Sequence, residues 1–187
     1  MRLSFAVALL LFCAVAFRPV RARAENHLLH STSTYLERAS EQPVDWYPWG
    51  ADAWAEARRL DRPVLIDLGA VWCPWCAQMD RESYTQAETA AYINAHFVAI
   101  KVDYDADPKL SAAFERAQAF LNLPSGLPVT AFATPDGKLY FGGSYFPAQA
   151  YKDKPAFLDA LKQAVELYRD HRAEQEREGF DLKPGAK

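Results

Sequence analysis

The sequence has 187 residues, of which 50% are hydrophobic and 13% aromatic, and its formal net charge is −3. This length fits one domain with a hydrophobic core, together with a segment removed during processing. The mildly acidic balance lacks the clustered positive charge that nucleic-acid binding requires, so no nucleic-acid partner is expected.

The N-terminus has the pattern of an export signal. Arg2 precedes an apolar stretch from Leu3 to Phe17, which has the length of a signal-peptide core and is too short to span a bilayer comfortably. Cleavage after Ala24 is expected, which makes residues 1–24 the signal peptide; cleavage after Ala16 and a retained membrane anchor are the alternatives. The mature protein is therefore predicted to be exported, either periplasmic or secreted, with no membrane attachment once the signal is removed.

The mature chain, residues 25–187, is predicted to be a single domain whose core covers about 45–172. Residues 25–44 form a polar N-terminal extension that is irregular or partly helical. An aromatic stretch with two prolines, Pro43–Gly50, cannot be a regular helix, and it precedes the first predicted helix, Asp52–Leu60. Residues 173–187 are a charged tail that is expected to fray.

Between these ends the pattern alternates strands and helices. The predicted strands are Val64–Gly69, Phe97–Asp103, Val129–Ala133 and Lys138–Phe141, and a Pro135-Asp136-Gly137 turn joins the last two. Further helices are predicted from Pro74 to about Arg81, from a Thr85–Glu88 capping box to about Asn94, from Pro108 to about Leu121, and from Pro155 to Arg172. A crossover helix makes the first two strands parallel, and the hairpin adds antiparallel strands. This order predicts an α/β fold: a three-layer α/β/α sandwich with a central mixed sheet.

The most informative motif is Cys73-Pro74-Trp75-Cys76. A Cys-x-x-Cys pair between a strand and a helix can cycle between dithiol and disulfide. Pro74 suits the first helical position, which makes Cys73 the expected N-cap, where unpaired N–H groups and the helix dipole favour a thiolate. Cys73 is therefore predicted to be the exposed attacking cysteine, and Cys76 the less exposed resolving cysteine of a redox-active disulfide.

Two other uses of the cysteine pair stay open. One is an inert disulfide, although closing so short a loop gains little entropy. The other is half of a zinc site, but structural zinc sites usually have four protein ligands and the sequence has no second cysteine pair. Neither a metal nor an organic cofactor is expected, because the cysteines themselves carry the electrons.

Several segments resemble thioredoxins: Leu65–Cys76, with its acid on the strand and Trp72 before the first cysteine; Gly126-Leu127-Pro128-Val129-Thr130; and the Thr134–Lys138 turn. Pro43–Gly50, Arg81-Glu82-Ser83 and Gly142–Pro147 resemble one branch more narrowly, the thioredoxin-like domain of the spermatogenesis-associated protein and its bacterial relatives. The resemblance covers about residues 35–150 and implies a thioredoxin fold. That branch typically has His where this chain has Pro74.

The resemblance also implies roles for residues around the cysteines. Asp67 is the buried acid that exchanges a proton with the resolving cysteine, which agrees with the cost of burying a carboxylate in an apolar strand; an acid turned to solvent, or paired with Lys101, is the alternative. Pro128 is the cis-proline beside the cysteines. It shapes a groove in which an extended substrate pairs with the Leu127 backbone.

Trp72 and Trp75 flank the expected nucleophile and are candidate contacts for an unfolded or partner protein. For Trp72, packing beneath the motif is the alternative. The aromatic residues upstream are expected to belong to the core or a lid rather than to a ligand site: Trp46, Tyr47, Trp49 and Trp54. His27 and His30 are expected in a solvated lead-in and not as metal ligands.

The predicted function is that of an exported thiol–disulfide oxidoreductase, which exchanges disulfides with protein substrates and contributes to cell redox homeostasis. Its expected partners are protein thiols or disulfides and a redox partner protein, and a monomer is expected. The lack of a histidine between the cysteines favours a reductant or electron relay. The alternatives are a non-catalytic thioredoxin-like binding module and a copper- or haem-maturation factor.

Overall fold

A computed structural model describes residues 26–182 of the chain. The predicted signal peptide, residues 1–24, lies outside the described residues, as do residues 183–187. Within 26–182, no helix combines the length and the apolar character needed to cross a membrane.

Helices and strands alternate along the described residues. The helices are α1 (Thr34–Ala39), α2 (Ala51–Leu60), α3 (Pro74–Glu82), α4 (Ala87–His96), α5 (Pro108–Phe120) and α6 (Phe157–Glu178). The strands are β1 (Trp46–Pro48), β2 (Val64–Gly69), β3 (Val98–Asp103), β4 (Val129–Ala133), β5 (Lys138–Gly143) and β6 (Phe180–Asp181). All six strands form one sheet in the order β1-β3-β2-β4-β5-β6.

The sheet is mixed, as predicted. Strand β2 runs parallel to β3 and antiparallel to β4, and the β4–β5 hairpin is antiparallel. Helices α1, α3, α4 and α6 cover one face, and α2 and α5 cover the other. Every residue of β2 is buried, which explains its continuous apolar run. The predicted three-layer sandwich is confirmed.

The alternation of side chains along each strand decides which face a residue joins. Val64, Ile66 and Leu68 pack towards α2 and α5, whereas Leu65 packs towards the other helical layer. Asp67 has the same parity as Leu65, and its register partner on β3 is Lys101. The fold therefore brings an acid and a base together on the buried sheet face that α3 covers.

The N-terminal extension is partly helical, as predicted, and part of it belongs to the core. Ser33 caps α1 by accepting a hydrogen bond from the Leu36 amide. Leu28 and Tyr35 are almost fully buried. Strand β1, which the two prolines concealed, pairs with β3 at the sheet edge, where a proline is tolerated. The expected solvent exposure of His27 and His30 is confirmed.

The C-terminal tail also belongs to the fold as far as Leu182. Helix α6 continues to Glu178, past the predicted end at Arg172, with one non-helical residue at His171. Strand β6 then pairs with β5, and Leu182 is buried. Fraying is therefore wrong for residues 173–182, because the charged sequence ends in apolar side chains that cover the second sheet edge.

Helix starts were predicted with mixed success. Asp107 caps α5 by accepting from two main-chain amides, as predicted. The Thr85–Glu88 capping box is wrong: α4 follows Gln86, which makes no side-chain cap, and the Thr85 hydroxyl donates to the Arg81 carbonyl instead.

The aromatic stretch before α2 contributes to the core, as predicted. Trp46 and Trp54 are fully buried, and Trp49 packs edge-on against Trp54 with centroids 5.4 Å apart. Tyr47 is partly buried and stacks on His27 at 3.8 Å between ring centroids. That stacking gives His27 a packing role which the sequence did not indicate.

Candidate active site

Cys73 and Cys76 lie at the N-terminus of α3 and are joined by a disulfide. Cys73 is the N-cap, and its Sγ accepts a hydrogen bond of 3.1 Å from the Cys76 amide. Pro74 is the first helical residue. The predicted cap is confirmed, and the same amide and helix dipole would stabilise a Cys73 thiolate once the disulfide is reduced.

The predicted exposure of Cys73 is wrong. The residue is 4% exposed and Cys76 2%, whereas Trp72 and Trp75 are 60% and 58% exposed. Packing of Trp72 beneath the motif is therefore also wrong. The cysteines turn towards the core, whereas the indoles that flank Cys73 in the sequence project outwards.

A groove of about 260 Å³ opens beside Cys73. Its lining includes Leu68, Trp72, Trp75, Tyr104 and Leu127. The Trp72 indole N–H donates to Asp105 at 2.8 Å, and its ring meets that of Tyr104 edge-on. Trp75 tilts against Tyr145 with centroids 5.0 Å apart. Both exposed indoles are thus held in place at the rim of the groove.

The Leu127–Pro128 peptide bond is cis, as the resemblance implied. The Ser144 hydroxyl donates to the Pro128 carbonyl at 2.9 Å, and the Gln118 amide donates to the Gly126 carbonyl at 2.9 Å. These contacts fix the loop that places Leu127 in the groove. A substrate contact at Leu127 and Pro128 stays a prediction.

A buried ionic cluster, which we call the Lys101 cluster, lies on the sheet face beneath α3. Lys101 Nζ is 2.6 Å from Asp67 Oδ2 and 2.8 Å from Asp80 Oδ1, and the lysine side chain has no exposed surface. The ammonium also lies 4.7, 4.9 and 5.0 Å from the ring centroids of the remaining members, Tyr35, Trp46 and Tyr84. Two carboxylates and three aromatic rings replace the water that the ammonium loses on burial.

Asp67 is saturated with hydrogen bonds. Besides Lys101, the Tyr35 hydroxyl donates to Oδ2 at 2.9 Å and the Tyr84 hydroxyl donates to Oδ1 at 3.1 Å. The residue is 1% exposed, so the alternative in which it faces solvent is wrong. The pairing with Lys101 is observed, and proton exchange with the resolving cysteine stays a prediction.

The surroundings fix the protonation states of the cluster's cation and phenols. Burial opposes the charged form of Lys101, but the carboxylates of Asp67 and Asp80 outweigh it and raise the lysine pKa. Burial, reinforced by the charge of Asp67, raises the pKa of Tyr35 and Tyr84 well above the ordinary value. Both phenols are therefore protonated at neutral pH and act as donors.

Asp80 connects the Lys101 cluster to the surface. Its side chain is 22% exposed, and it lines a second cavity of about 380 Å³ together with Tyr35, Ala70, Ala77 and Arg81. The Gln42 side-chain N–H donates to Asp80 Oδ1 at 2.9 Å, and the Gln42 side-chain oxygen accepts from the Trp46 indole N–H. One end of the cluster thus reaches solvent while Asp67 is sealed.

Sequence reasoning missed most partners of the acid. Tyr35 comes from α1, Asp80 from α3 and Tyr84 from the turn after α3, so no local spacing connects them. The one available signal was a pair of charged residues, Asp67 and Lys101, inside two apolar strands. Over residues 26–182, no group of three or more His, Cys, Asp or Glu side chains is arranged to hold a metal ion.

Residues 25–183 match the Thioredox_DsbH family, described as a protein of unknown function, DUF255. The chain belongs to this family. Among its relatives, human spermatogenesis-associated protein 20 is 30% identical over 150 residues, which cover 80% of this chain and 19% of the human protein. The chain therefore spans about a fifth of the length of that relative.

Among the solved structures that resemble this DUF255 chain are a DsbH oxidoreductase and a thioredoxin. A DsbH oxidoreductase superposes with a TM-score of 0.50 at 17% identity, covering 66% of this chain and 85% of that one. A thioredoxin from Thermus thermophilus gives a TM-score of 0.51 at 21% identity, covering 72% and 96% respectively. At sequence identities this low, the comparison shows the fold alone. The two superpositions confirm the predicted thioredoxin fold.

Proposed function

We propose that this thioredoxin-like protein is a thiol–disulfide oxidoreductase that acts on protein substrates. The observation that carries the proposal is the position of the Cys73–Cys76 disulfide. It caps a helix, borders a groove on one side and has a buried carboxylate on the sheet beneath it. A disulfide that only stabilises the fold has no need of the groove.

In the reducing direction, the Cys73 thiolate attacks one sulfur of a substrate disulfide. A bond forms between these sulfurs, and the second substrate sulfur leaves as a thiolate and takes a proton from solvent. Cys76 then loses its proton and attacks Cys73 Sγ, which closes the Cys73–Cys76 disulfide and expels the first substrate sulfur. Two electrons pass from the cysteine pair to the substrate, and a redox partner protein returns them.

The groove residues are proposed to position the substrate. An extended peptide would pair with the Leu127 main chain, next to the cis bond of Pro128. Trp72 and Trp75 offer apolar surface to an unfolded chain. Asp67 is proposed to take the proton of the resolving cysteine. The cysteine pair supplies the chemistry without an added cofactor.

Cysteine variants of the mature protein test this function with insulin as the disulfide substrate. Cys73→Ser should abolish insulin reduction, and Cys76→Ser should accumulate a mixed disulfide that mass spectrometry detects on Cys73. The double serine variant serves as the control for folding. Full activity of that double variant, or failure of iodoacetamide to label the reduced protein at neutral pH, would contradict the proposal.

The exposed indoles favour a second candidate, a non-catalytic binding module. Trp72 and Trp75 would then bind unfolded segments whether or not the cysteines are intact. Binding of reduced, carboxymethylated insulin B chain to the double serine variant separates the two functions. Undiminished binding together with no measurable reduction by the unmodified protein would favour the module.

We also propose an extracytoplasmic location and a monomeric state. Arg2 and the apolar stretch Leu3–Phe17 support export, and disulfides persist outside the cytosol. Cell fractionation with N-terminal sequencing should find Glu25 as the first residue, and sedimentation should give one chain per particle. A cytosolic chain that keeps Met1 would contradict the location.

A further inference from the structure

The Tyr35 hydroxyl lies near both the buried acid and the resolving cysteine. It donates to Asp67 Oδ2 at 2.9 Å. A Cβ atom built on Gly69 would lie 2.2 Å from the Tyr35 oxygen and 3.0 Å from Cys76 Sγ. The Tyr35 oxygen and Cys76 Sγ are therefore separated by at most the sum of these two distances. Because Gly69 has no Cβ atom, both side chains fit beside it.

The hydrogen bonds of Asp67 connect it to the Lys101 cluster. The carboxylate oxygens accept from Tyr84, Lys101 and Tyr35. A group that lies near both can carry a proton from Cys76 to Asp67. The Tyr35 hydroxyl donates a hydrogen bond to the carboxylate and lies near the sulfur.

We propose that Tyr35 relays the proton of Cys76 to Asp67 when Cys76 attacks the mixed disulfide. This inference rests on the proposed function and deepens it. It assigns the N-terminal extension, through α1, a part in the resolving step.

The relay step balances in atoms and electrons. The Cys76 S–H bond breaks, its proton passes to the Tyr35 oxygen, and the proton of Tyr35 passes to Asp67 Oδ2. The Cys76 sulfur bonds to Cys73 Sγ as the Cys73–substrate bond breaks, and the substrate sulfur leaves as a thiolate that takes a proton from solvent. Tyr35 is a neutral phenol before and after the step.

The surroundings suit a hydroxyl that never becomes an anion. The groups that face Tyr35 are Asp67 on β2, Lys101 on β3, Asp80 on α3 and Tyr84 after α3. Burial and the two carboxylate charges raise the pKa of Tyr35, so a phenolate does not accumulate. The Tyr35 oxygen must therefore receive the Cys76 proton as it gives its own proton to Asp67. Lys101 bridges Asp67 to the partly exposed Asp80, so it can give one proton to Asp80 as it takes one from Asp67, which passes the proton towards solvent.

Tyr35→Phe tests the relay because it removes only the hydroxyl and keeps the ring beside Lys101. The reduced mature protein is mixed with glutathione disulfide, quenched with acid and analysed by mass spectrometry from about pH 6 to about pH 10. We expect the mixed disulfide on Cys73 to form at the unmodified rate and to decay at least about tenfold more slowly at neutral pH. The difference should vanish at high pH, where Cys76 ionises without help.

Tyr84→Phe is the matched variant. It removes a hydrogen bond to the same carboxylate, but from the other oxygen of Asp67. Its effect on the decay of the mixed disulfide should be clearly smaller than that of Tyr35→Phe. Equal effects, or a Tyr35→Phe effect that is the same at every pH, would mean that Tyr35 only holds Asp67 in place and would overturn the relay.

A measurement on the unmodified protein covers the case in which Tyr35→Phe does not fold. In mixtures of H₂O and D₂O, two protons moving in one step make the decay rate a curved function of deuterium content, and a linear dependence overturns the relay. If no mixed disulfide forms at all, the proposed function fails. If it forms and Tyr35→Phe resolves it normally, only the relay fails.

Discussion

The two sides of the disulfide have opposite character. On the groove side, the flanking side chains Trp72 and Trp75 are more than half exposed. On the sheet side, Lys101 and Asp67 are sealed from water and every polar atom of the pair has a partner. The helix N-terminus that carries the cysteines separates a surface suited to binding from an interior suited to proton handling.

This difference has a physical cost on each side. Exposed indoles leave apolar surface in water, which favours a partner that covers it. Buried charges are expensive unless geometry and hydrogen bonds compensate them, and removing one partner of such a pair leaves the other uncompensated. Disrupting the sheet side should therefore affect stability and rate more than disrupting the groove side.

The largest effect is expected for Lys101→Met. The variant leaves Asp67 buried without its cation, so we expect the free energy of unfolding to fall by about 3–5 kcal/mol. Urea denaturation measures it. Lys138→Met is the control, since the Lys138–Asp181 pair is partly exposed and should contribute at most about 1 kcal/mol. Similar losses of unfolding free energy in both variants would mean that the Lys101 cluster stabilises the fold no more than a partly exposed ion pair does.

Asp67→Asn should slow the step in which Cys76 resolves the mixed disulfide. Asparagine cannot take the proton of Cys76, so the mixed disulfide should resolve about a hundredfold more slowly, equivalent to about 2.7 kcal/mol, while the first attack by Cys73 changes little. Rapid acid quench at neutral pH separates the two steps. An unchanged rate of resolution would refute the proton-accepting role of Asp67.

The groove side is tested by Trp75→Ala and Trp72→Ala. Removing either exposed indole should weaken binding of an unfolded substrate about tenfold, or about 1.4 kcal/mol, and leave the stability unchanged. Phe120→Ala is the control: Phe120 is 51% exposed but packs against Phe180 rather than beside the cysteines. Equal losses from Phe120→Ala would show that general hydrophobicity, not the groove, binds the substrate.

A smaller and more gradual effect is expected with pH. Burial raises the pKa of Tyr35 and Tyr84 in the folded protein, and the carboxylates raise that of Lys101 against the opposing effect of burial. Above about pH 10 the unfolded chain loses these protons first, so the free energy of unfolding decreases as pH rises. Denaturation at neutral pH and at about pH 11 measures this decrease, and Tyr35→Phe should reduce its slope. A stability that stays constant through this range would contradict the protonation states assigned to the cluster.

The sequence allowed much of the fold to be predicted, because strand runs, the hairpin turn and the first turn of α3 depend on neighbours in the chain. It did not reveal β1 or β6, which are short edge strands recognisable only by what they pair with. It indicated the cysteines and Asp67, and the resemblance to thioredoxins implied the cis bond at Pro128. It placed Cys73 at the surface because a cap position does not say how the surrounding loops pack.

By itself, the sequence determined that a cysteine followed by proline caps a helix after a buried strand, and that an acid in that strand points to one sheet face. Tertiary structure alone decided what surrounds them. The Tyr35–Asp67 and Lys101–Asp67 hydrogen bonds join residues separated by 32 and 34 positions. Capping and side-chain alternation are properties of adjacent peptide units, whereas a buried proton path exists only where separate elements pack together.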